Sequence, residues 1–193
     1  MTVDAQFRLL YVCVGNVCRS VLAERMTRHE LGVLHPARFC VASAGTRGLA
    51  RAPMHPYTEH LLADRAADTS GFAARRLTPT LIAHADLVLT ATVRERDDVL
   101  ALVPTAIRRT FTIKEFARLA ARSGHAEKDP VEHARKVVID ALRRRGQVRS
   151  TVDGDDIPDP DRTVEAFSAC AATVERAVRA IVPALCGPGT GDA

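Results

Sequence analysis

Short apolar runs alternate along this chain with longer stretches of helical period. FRLLYVC (7–13) is almost unbroken in its apolar character, the pattern of a strand covered on both faces. CRSVLAERMTRHEL (18–31) follows it with apolar residues at Val21, Leu22, Met26 and Leu31, a spacing that predicts a helix. RFCVASAG (38–45), DLVLTA (86–91) and RTFTIK (109–114) predict three further strands, and helical spacing recurs over 54–67, 78–85, 94–103, 114–122, 130–145 and 163–185. Strands alternating with helices predict an α/β layer structure with a parallel sheet and right-handed crossovers. The stretches 123–129 and 147–162 read as irregular, the second rich in Asp with prolines at 158 and 160, and the tail 187–193 reads as a disordered, dispensable end.

Composition narrows this to one domain over 1–186. The 193 residues can bury one substantial core, and 47% hydrophobic with 26% charged residues excludes wholesale disorder. The longest apolar runs are too short to span a bilayer, and MTVDAQFR lacks the basic-then-apolar pattern of a signal peptide, so the expectation is a cytoplasmic protein with no membrane partner. Five cysteines, Cys13, Cys18, Cys40, Cys170 and Cys186, are an odd number in a chain too long to need staples, which points to a working thiol rather than a disulfide framework. The net charge of +4 comes largely from 131–149, where Arg143, Arg144 and Arg145 are consecutive. Without interleaved aromatic residues this run reads as the solvated face of a helix, and no nucleic-acid partner is expected.

The chemistry concentrates in CVGNVCRS (13–20), where the first strand ends and the first helix begins. In parallel sheets ligands bind beyond the carboxyl ends of strands, and a tight loop at a helix N-terminus aims backbone N–H groups and the positive end of the helix dipole at one point. An anion belongs there. Gly15 and Asn16 are the residue types best able to adopt left-handed backbone angles in such a nest. Arg19 can grip two phosphoryl oxygens with its planar fork. Cys13 stands at the start of the ring of donors, where the field of a helix N-terminus lowers a cysteine pKa to roughly 3.5–7.5, and the Ser20 hydroxyl can stabilise its thiolate. A cysteine at a strand end is commonly a small buried hydrophobe, but cysteine, five residues, arginine and serine at a strand-helix junction is a rarer coincidence. A zinc site lacks ligands, because Cys13 and Cys18 have no second pair to complete it.

A thiol that accepts a phosphoryl group needs a partner to protonate the leaving oxygen and later deprotonate water. Asp159 in DDIPDPDR fits that role, since prolines on both sides stiffen its loop, whereas Asp153, Asp155 and Asp156 fall in a more mobile, glycine-containing run.

With these residues in place the sequence resembles the low-molecular-weight protein-tyrosine phosphatase family. CVGNVCRSVLAE matches its phosphate-loop signature and IPDPD its late acid loop, with SAGT (43–46), AARRLTP (73–79) and ADLVLTA (85–91) in family-like order between them. The resemblance covers the chain to about residue 185, with added length near 118–152. It implies a three-layer sandwich whose four-stranded parallel sheet is flanked by helices, and no metal or organic cofactor. It also implies Cys13 as nucleophile, Arg19 as phosphate binder and Asp159 as general acid and base. Val14, Gly15, Asn16, Val17, Cys18 and Ser20 would line the phosphate site, and Ser43 would join Asn16 and Ser20 in supporting the loop. In relatives the residue matching Cys18 can form a reversible disulfide with the nucleophile; a buried helix-start residue is the alternative.

Departures from the family bear on substrate. Aromatic residues that line the phenyl slot of relatives are replaced here by Asp161-Arg162 and by Arg47-Gly48-Leu49-Ala50-Arg51, leaving Val14, Val17 and, from elsewhere, Tyr57 or Phe72 to supply apolar contact. Phe72 stands where many relatives carry a histidine of the loop network, so packing is expected to stiffen the loop instead. Protein-arginine phosphatases of the family carry threonine where Val17 sits. The implied partner is therefore a phosphorylated protein, phosphotyrosine first, or a small-molecule phosphate ester rimmed by Arg47, Arg51 and Arg162. A thioredoxin-coupled arsenate reductase needs two more cysteines near the third strand, and this chain has none between Cys40 and Cys170. A noncatalytic phosphoprotein-binding module would have lost the nucleophile or the acid, and both are present.

Overall fold

The apolar run Phe7–Cys13 forms β1, the central strand of a four-stranded parallel sheet with β2 (Phe39–Gly45), β3 (Leu87–Thr90) and β4 (Thr110–Thr112). The computed structural model describes residues 6–34, 37–121, 127–147 and 154–187. Of the stretches read as irregular, 123–126 and 148–153 lie outside the described residues, as does the tail from 188. The strand order is β2-β1-β3-β4, so successive strands leave β1 on opposite sides and the loop after Cys13 opens at the switch point of the sheet.

The two-residue period of β1 divides the core. Phe7, Leu9 and Tyr11, with Leu87, Leu89 and Phe111, face one apolar layer; Leu10, Val12, Ala44 and Val88 face the other. The larger layer is built with α1 (Arg19–Leu34), α2 (Pro56–Ala63), α5 (Ile113–Ala120), α6 (Pro130–Arg144) and α7 (Val164–Cys186), the smaller with α3 (Pro79–Ala83) and α4 (Val93–Leu102). Full burial of side chains such as Leu9 or Leu89 stabilises by roughly 1.5–3 kcal/mol each. The result is the expected three-layer sandwich.

Local chemistry sets the boundaries. The helix expected over 54–67 is confined to Pro56–Ala63, because His55 caps it, Pro56 opens it and the chain turns left-handed at Ala66, φ 54°. The strand expected over 109–114 shrinks to three residues, since a 3-10 helix at Pro104–Arg109 precedes it and Thr112 leaves it to cap α5 in a reciprocal box with Glu115. Asp129 caps α6, accepting from the N–H groups of Val131 at 2.9 Å and Glu132 at 3.0 Å.

The added length near 118–152 belongs, where described, to the core: α6 buries Val131, Ala134, Val137 and Ala141 in the same layer as α5 and α7. The arginine run is not one solvated face. Arg143 is exposed, but Arg145 lies over the Phe111 ring at 4.0 Å and pairs with Glu115 at 2.8 Å.

Candidate active site

The loop between β1 and α1 is held from outside. The N–H groups of Thr46, Arg47, Leu49 and His55 donate to the carbonyls of Cys13, Val14, Gly15 and Val17 at 2.9, 2.9, 3.3 and 2.9 Å. With its carbonyls engaged outward, the loop keeps its own N–H groups for the concave side. Asn16 takes the left-handed conformation at φ 56°, whereas Gly15 stays out of that region, contrary to the expectation for both residues. One reversal closes the loop, and Asn16 can hold it there through its side chain. Gly45, paired with Cys13 across the sheet, is required by close approach: a Cβ would stand 2.5 Å from the Val14 carbonyl oxygen and 2.8 Å from the Asn16 nitrogen.

A buried polar chain runs back from the Cys13 sulfur. Cys13 Sγ lies 3.0 Å from Ser20 Oγ and accepts from the Asn16 N–H at 3.3 Å. Asn16 Nδ2 donates to Ser20 Oγ at 3.0 Å and Ser43 Oγ at 2.8 Å, which leaves the Ser20 hydroxyl hydrogen for the sulfur. Ser43 in turn donates to Glu24 Oε2 at 2.5 Å, and Asn16 Oδ1 accepts from the Arg75 N–H at 2.9 Å. Glu24 and Arg75 were missed in the sequence. The available signals were an acidic residue one helical turn after Ser20 and the AARRLTP segment. They stiffen the loop by hydrogen bonding, not by the packing expected from Phe72. That ring lies under the Arg25 guanidinium at 5.6 Å in a groove of about 550 Å³ shared with Arg28 and Phe39, so it supplies no substrate wall.

Arg19 and Asp159 meet at the mouth. Arg19 Nη2 is 2.9 Å from Asp159 Oδ1, Nη1 donates to the Ile157 carbonyl at 3.1 Å and stands 3.6 Å from Glu95 Oε1, and the buried Nε–H has no partner among the described residues. Glu95, itself buried, is a third residue the sequence did not single out. The acidic loop is anchored on both flanks: the Val93 N–H donates to Asp156 Oδ1 at 2.7 Å, the Ile157 N–H donates to the Ala91 carbonyl at 2.8 Å, and Arg118 grips Asp155 through two bonds of 3.2 Å. Asp155 and Asp156 are thus fixed rather than mobile, and Asp153 lies outside the described residues.

Val14 and Val17 are half-buried. Beside Val17, whose carbonyl holds the His55 N–H, His55 stacks on Phe167 at 4.4 Å and Tyr57 meets the same ring edge-on at 5.3 Å. Arg47, Arg51 and Arg162 are exposed. Cys18 is buried in the larger apolar layer, and no disulfide links the five cysteines.

An anion cradle at a sheet switch point, with a thiol at its base and an arginine-carboxylate pair at its mouth, defines the class of phosphoryl-transfer phosphatases that use a cysteine. The family model for low molecular weight phosphotyrosine protein phosphatases matches residues 8–186, and the chain belongs to that family. It is 32% identical over 109 residues, 56% of this chain and 71% of the relative, to the probable low molecular weight protein-tyrosine-phosphatase EpsP of Ralstonia nicotianae. Among solved structures, the Erwinia amylovora tyrosine phosphatase amsI superimposes with a TM-score of 0.68 at 20% identity, covering 95% of this chain and 96% of its own. The YwlE arginine phosphatase of Geobacillus stearothermophilus gives 0.66 at 22%, covering 91% and 90%. At these identities the structural likeness speaks for the fold.

Proposed function

We propose that this protein hydrolyses phosphate monoesters, phosphotyrosine in proteins first among them, through a cysteinyl-phosphate intermediate. The observation that carries the reading is the 13–20 loop itself, which holds the Cys13 sulfur against the Asn16 N–H and ends at Arg19, with Asp159 paired to that arginine. The Cys13 sulfur attacks phosphorus in line while the loop N–H groups and the Arg19 fork, its unpartnered Nε–H included, hold the three nonbridging oxygens. Asp159 gives its proton to the leaving oxygen. It then takes one from the water that attacks the phosphocysteine, and Cys13 departs as a thiolate received by the Ser20 hydroxyl and the Asn16 N–H.

The aromatic group of His55, Tyr57 and Phe167, joined to the loop by the His55 N–H on the Val17 carbonyl, is the nearest described source of aryl contact in support of an aryl substrate. Five cysteines, an odd number in a chain long enough to bury a core of its own, support work in a reducing compartment such as the cytoplasm.

The test is release of nitrophenol from para-nitrophenyl phosphate by the reduced wild type and by Cys13→Ser, with vanadate binding measured on both. Turnover in the wild type alone, with oxyanion binding retained in the variant, is the expected result. No turnover by folded, reduced wild type overturns the reading.

A further inference from the structure

A groove of about 550 Å³, within the size range of small-molecule sites, opens between α1, the edge strand β2 and the 71–75 segment, and no residue of the 13–20 loop or the acidic loop lines it. Arg25, Arg28 and Arg75 line it against a single carboxylate, Glu24. That carboxylate is already engaged: Oε2 accepts from Ser43 Oγ at 2.5 Å and Oε1 from Arg28 Nη1 at 3.3 Å. Arg25 is 5% exposed. Its Nη1 is taken by Asp68, through the carbonyl at 3.2 Å and Oδ2 at 3.5 Å, but its buried Nε–H has no hydrogen-bond partner among the described residues, with Glu24 Oε1 standing off at 4.0 Å. A buried donor left unmet is costly, and an oxyanion is the acceptor a guanidinium holds best. Arg75 Nε donates to the Ser43 carbonyl at 2.7 Å, which fixes a further guanidinium at the edge of β2. The remaining wall is apolar: Leu31, Phe39 and Phe72, the last with its ring beneath the Arg25 guanidinium at 5.6 Å.

We propose that this groove is a second anion site, taking a carboxylate or phosphoryl group on an apolar body of small-molecule size, and that its occupant acts on the catalytic loop through Glu24. The oxyanion is held by the Arg25, Arg28 and Arg75 guanidinium groups, and the body lies against Leu31, Phe39 and Phe72. Three cations against one engaged carboxylate repel a cationic ligand, and a neutral one leaves the arginines unmet.

Glu24 joins the two sites. One of its oxygens meets Arg28 in the groove and the other Ser43, whose Oγ accepts from Asn16 Nδ2 at 2.8 Å; the same amide reaches Ser20 Oγ at 3.0 Å. An occupant that draws Arg28 to itself takes a cation from Glu24, and the shift of that carboxylate passes through Ser43 to Asn16 and Ser20, the two groups that meet the Cys13 sulfur. Because no residue of the 13–20 loop lines the groove, the ligand acts on kcat without competing for the substrate phosphate. This coupling rests on Cys13 being the nucleophile of the proposed function; the binding itself does not.

The experiment titrates the full-length reduced protein, its cradle filled with orthovanadate, by calorimetry with naphthalene-2-carboxylate, naphthalene-2-phosphonate and their neutral counterpart naphthalene-2-carboxamide. The two anions tell a carboxylate ligand from a phosphoryl one, and at least one is expected to bind once per chain and more tightly than the carboxamide. Arg28→Ala, at a side chain 51% exposed, and Arg25→Lys, which keeps the charge and loses the fork, are expected to weaken that binding on the order of tenfold or more, the worth of one charged hydrogen bond. Arg179→Ala, at an exposed side chain of α7, is expected to leave it unchanged. Without vanadate, the anion that binds is expected to lower kcat on para-nitrophenyl phosphate by about fivefold, the lower end of ordinary coupling between sites, with KM changed less. No binding of either anion, binding that both arginine variants leave unchanged, or an effect confined to KM, which assigns the anion to the cradle, overturns the proposal, as does a bound anion that leaves kcat unaltered. A wild type that releases no nitrophenol even without added anion strikes the phosphatase reading instead, and the calorimetry still decides the groove.

Discussion

The guanidinium of Arg19 and the carboxylate of Asp159 meet at 2.9 Å, the first side chain 3% exposed and the second 73%. A pair with one partner open to water contributes little stability. In the proposed reaction an incoming phosphoryl group takes its place on Arg19 at small cost, leaving Asp159 beside the ester oxygen. The same contact makes Asp159 a competitor for oxyanions in the free site.

Asp159→Asn separates these two effects. Turnover of an alkyl phosphate, whose leaving oxygen needs a proton, is expected to fall by about 10²–10⁴, and that of para-nitrophenyl phosphate by much less. Vanadate is expected to bind at least as tightly as to wild type, because a negative charge has left Arg19. Equal slowing of both esters would remove Asp159 from the acid role.

Ser43 is the only described link between Glu24 and the Asn16 side chain. Ser43→Ala leaves a buried carboxylate oxygen and an amide hydrogen without their partner, which costs about 1–3 kcal/mol in urea unfolding. The loosened loop is expected to lower kcat on para-nitrophenyl phosphate on the order of tenfold or more, with KM changed less. An unchanged kcat would show that the outward backbone bonds suffice to hold the loop.

Gly45→Ala forces a Cβ to within 2.5 Å of the Val14 carbonyl oxygen, and the obstructing atoms of Val14, Gly15 and Asn16 are all backbone. The loop must move. Phosphate binding and turnover are expected to be lost together, while the circular dichroism of the remaining sheet and helices is retained. Preserved vanadate affinity in a folded Gly45→Ala protein would contradict the close approach.

The Glu132 N–H, aided by the Arg38 charge, holds the Asp129 carboxyl below its ordinary range. A lowered folded-state value contributes stability above the unfolded carboxyl range, near about 3.9, and the contribution is lost as pH falls through the folded value. Asp129→Ala is expected to cost about 1 kcal/mol at pH 7 through loss of the cap, the charged share of it being small because water screens an exposed carboxylate. The difference from wild type should narrow in acid below that range. A gap that persists there would assign the effect to packing instead of the charged cap.

Features carried by neighbouring residues were legible from the chain. The apolar run 7–13, the Cys13-to-Arg19 spacing and the helix that follows are local, so period and turn chemistry alone point to a candidate nucleophile and a candidate anion cradle. Asp159 was legible because Pro158 and Pro160 mark its loop. Element ends were less so, since Thr112 ends its strand early and His55 lets its helix start late, each by capping a helix.

Tertiary structure alone decided which distant side chains complete the site. Glu24, Arg75 and Glu95 look like surface charges in the sequence, yet Glu24 and Glu95 are buried and Arg75 reaches Asn16 through its backbone. Asp155 and Asp156 became anchors once Arg118 and the start of α4 were beside them. Cys170 lies in a long amphipathic pattern that marks it only as core, and the packing of α7 on α1 buries it in the same layer as Cys18. A sequence records which chemistry each side chain can perform; its burial and its partners depend on elements that meet only when the sheet and its two layers close.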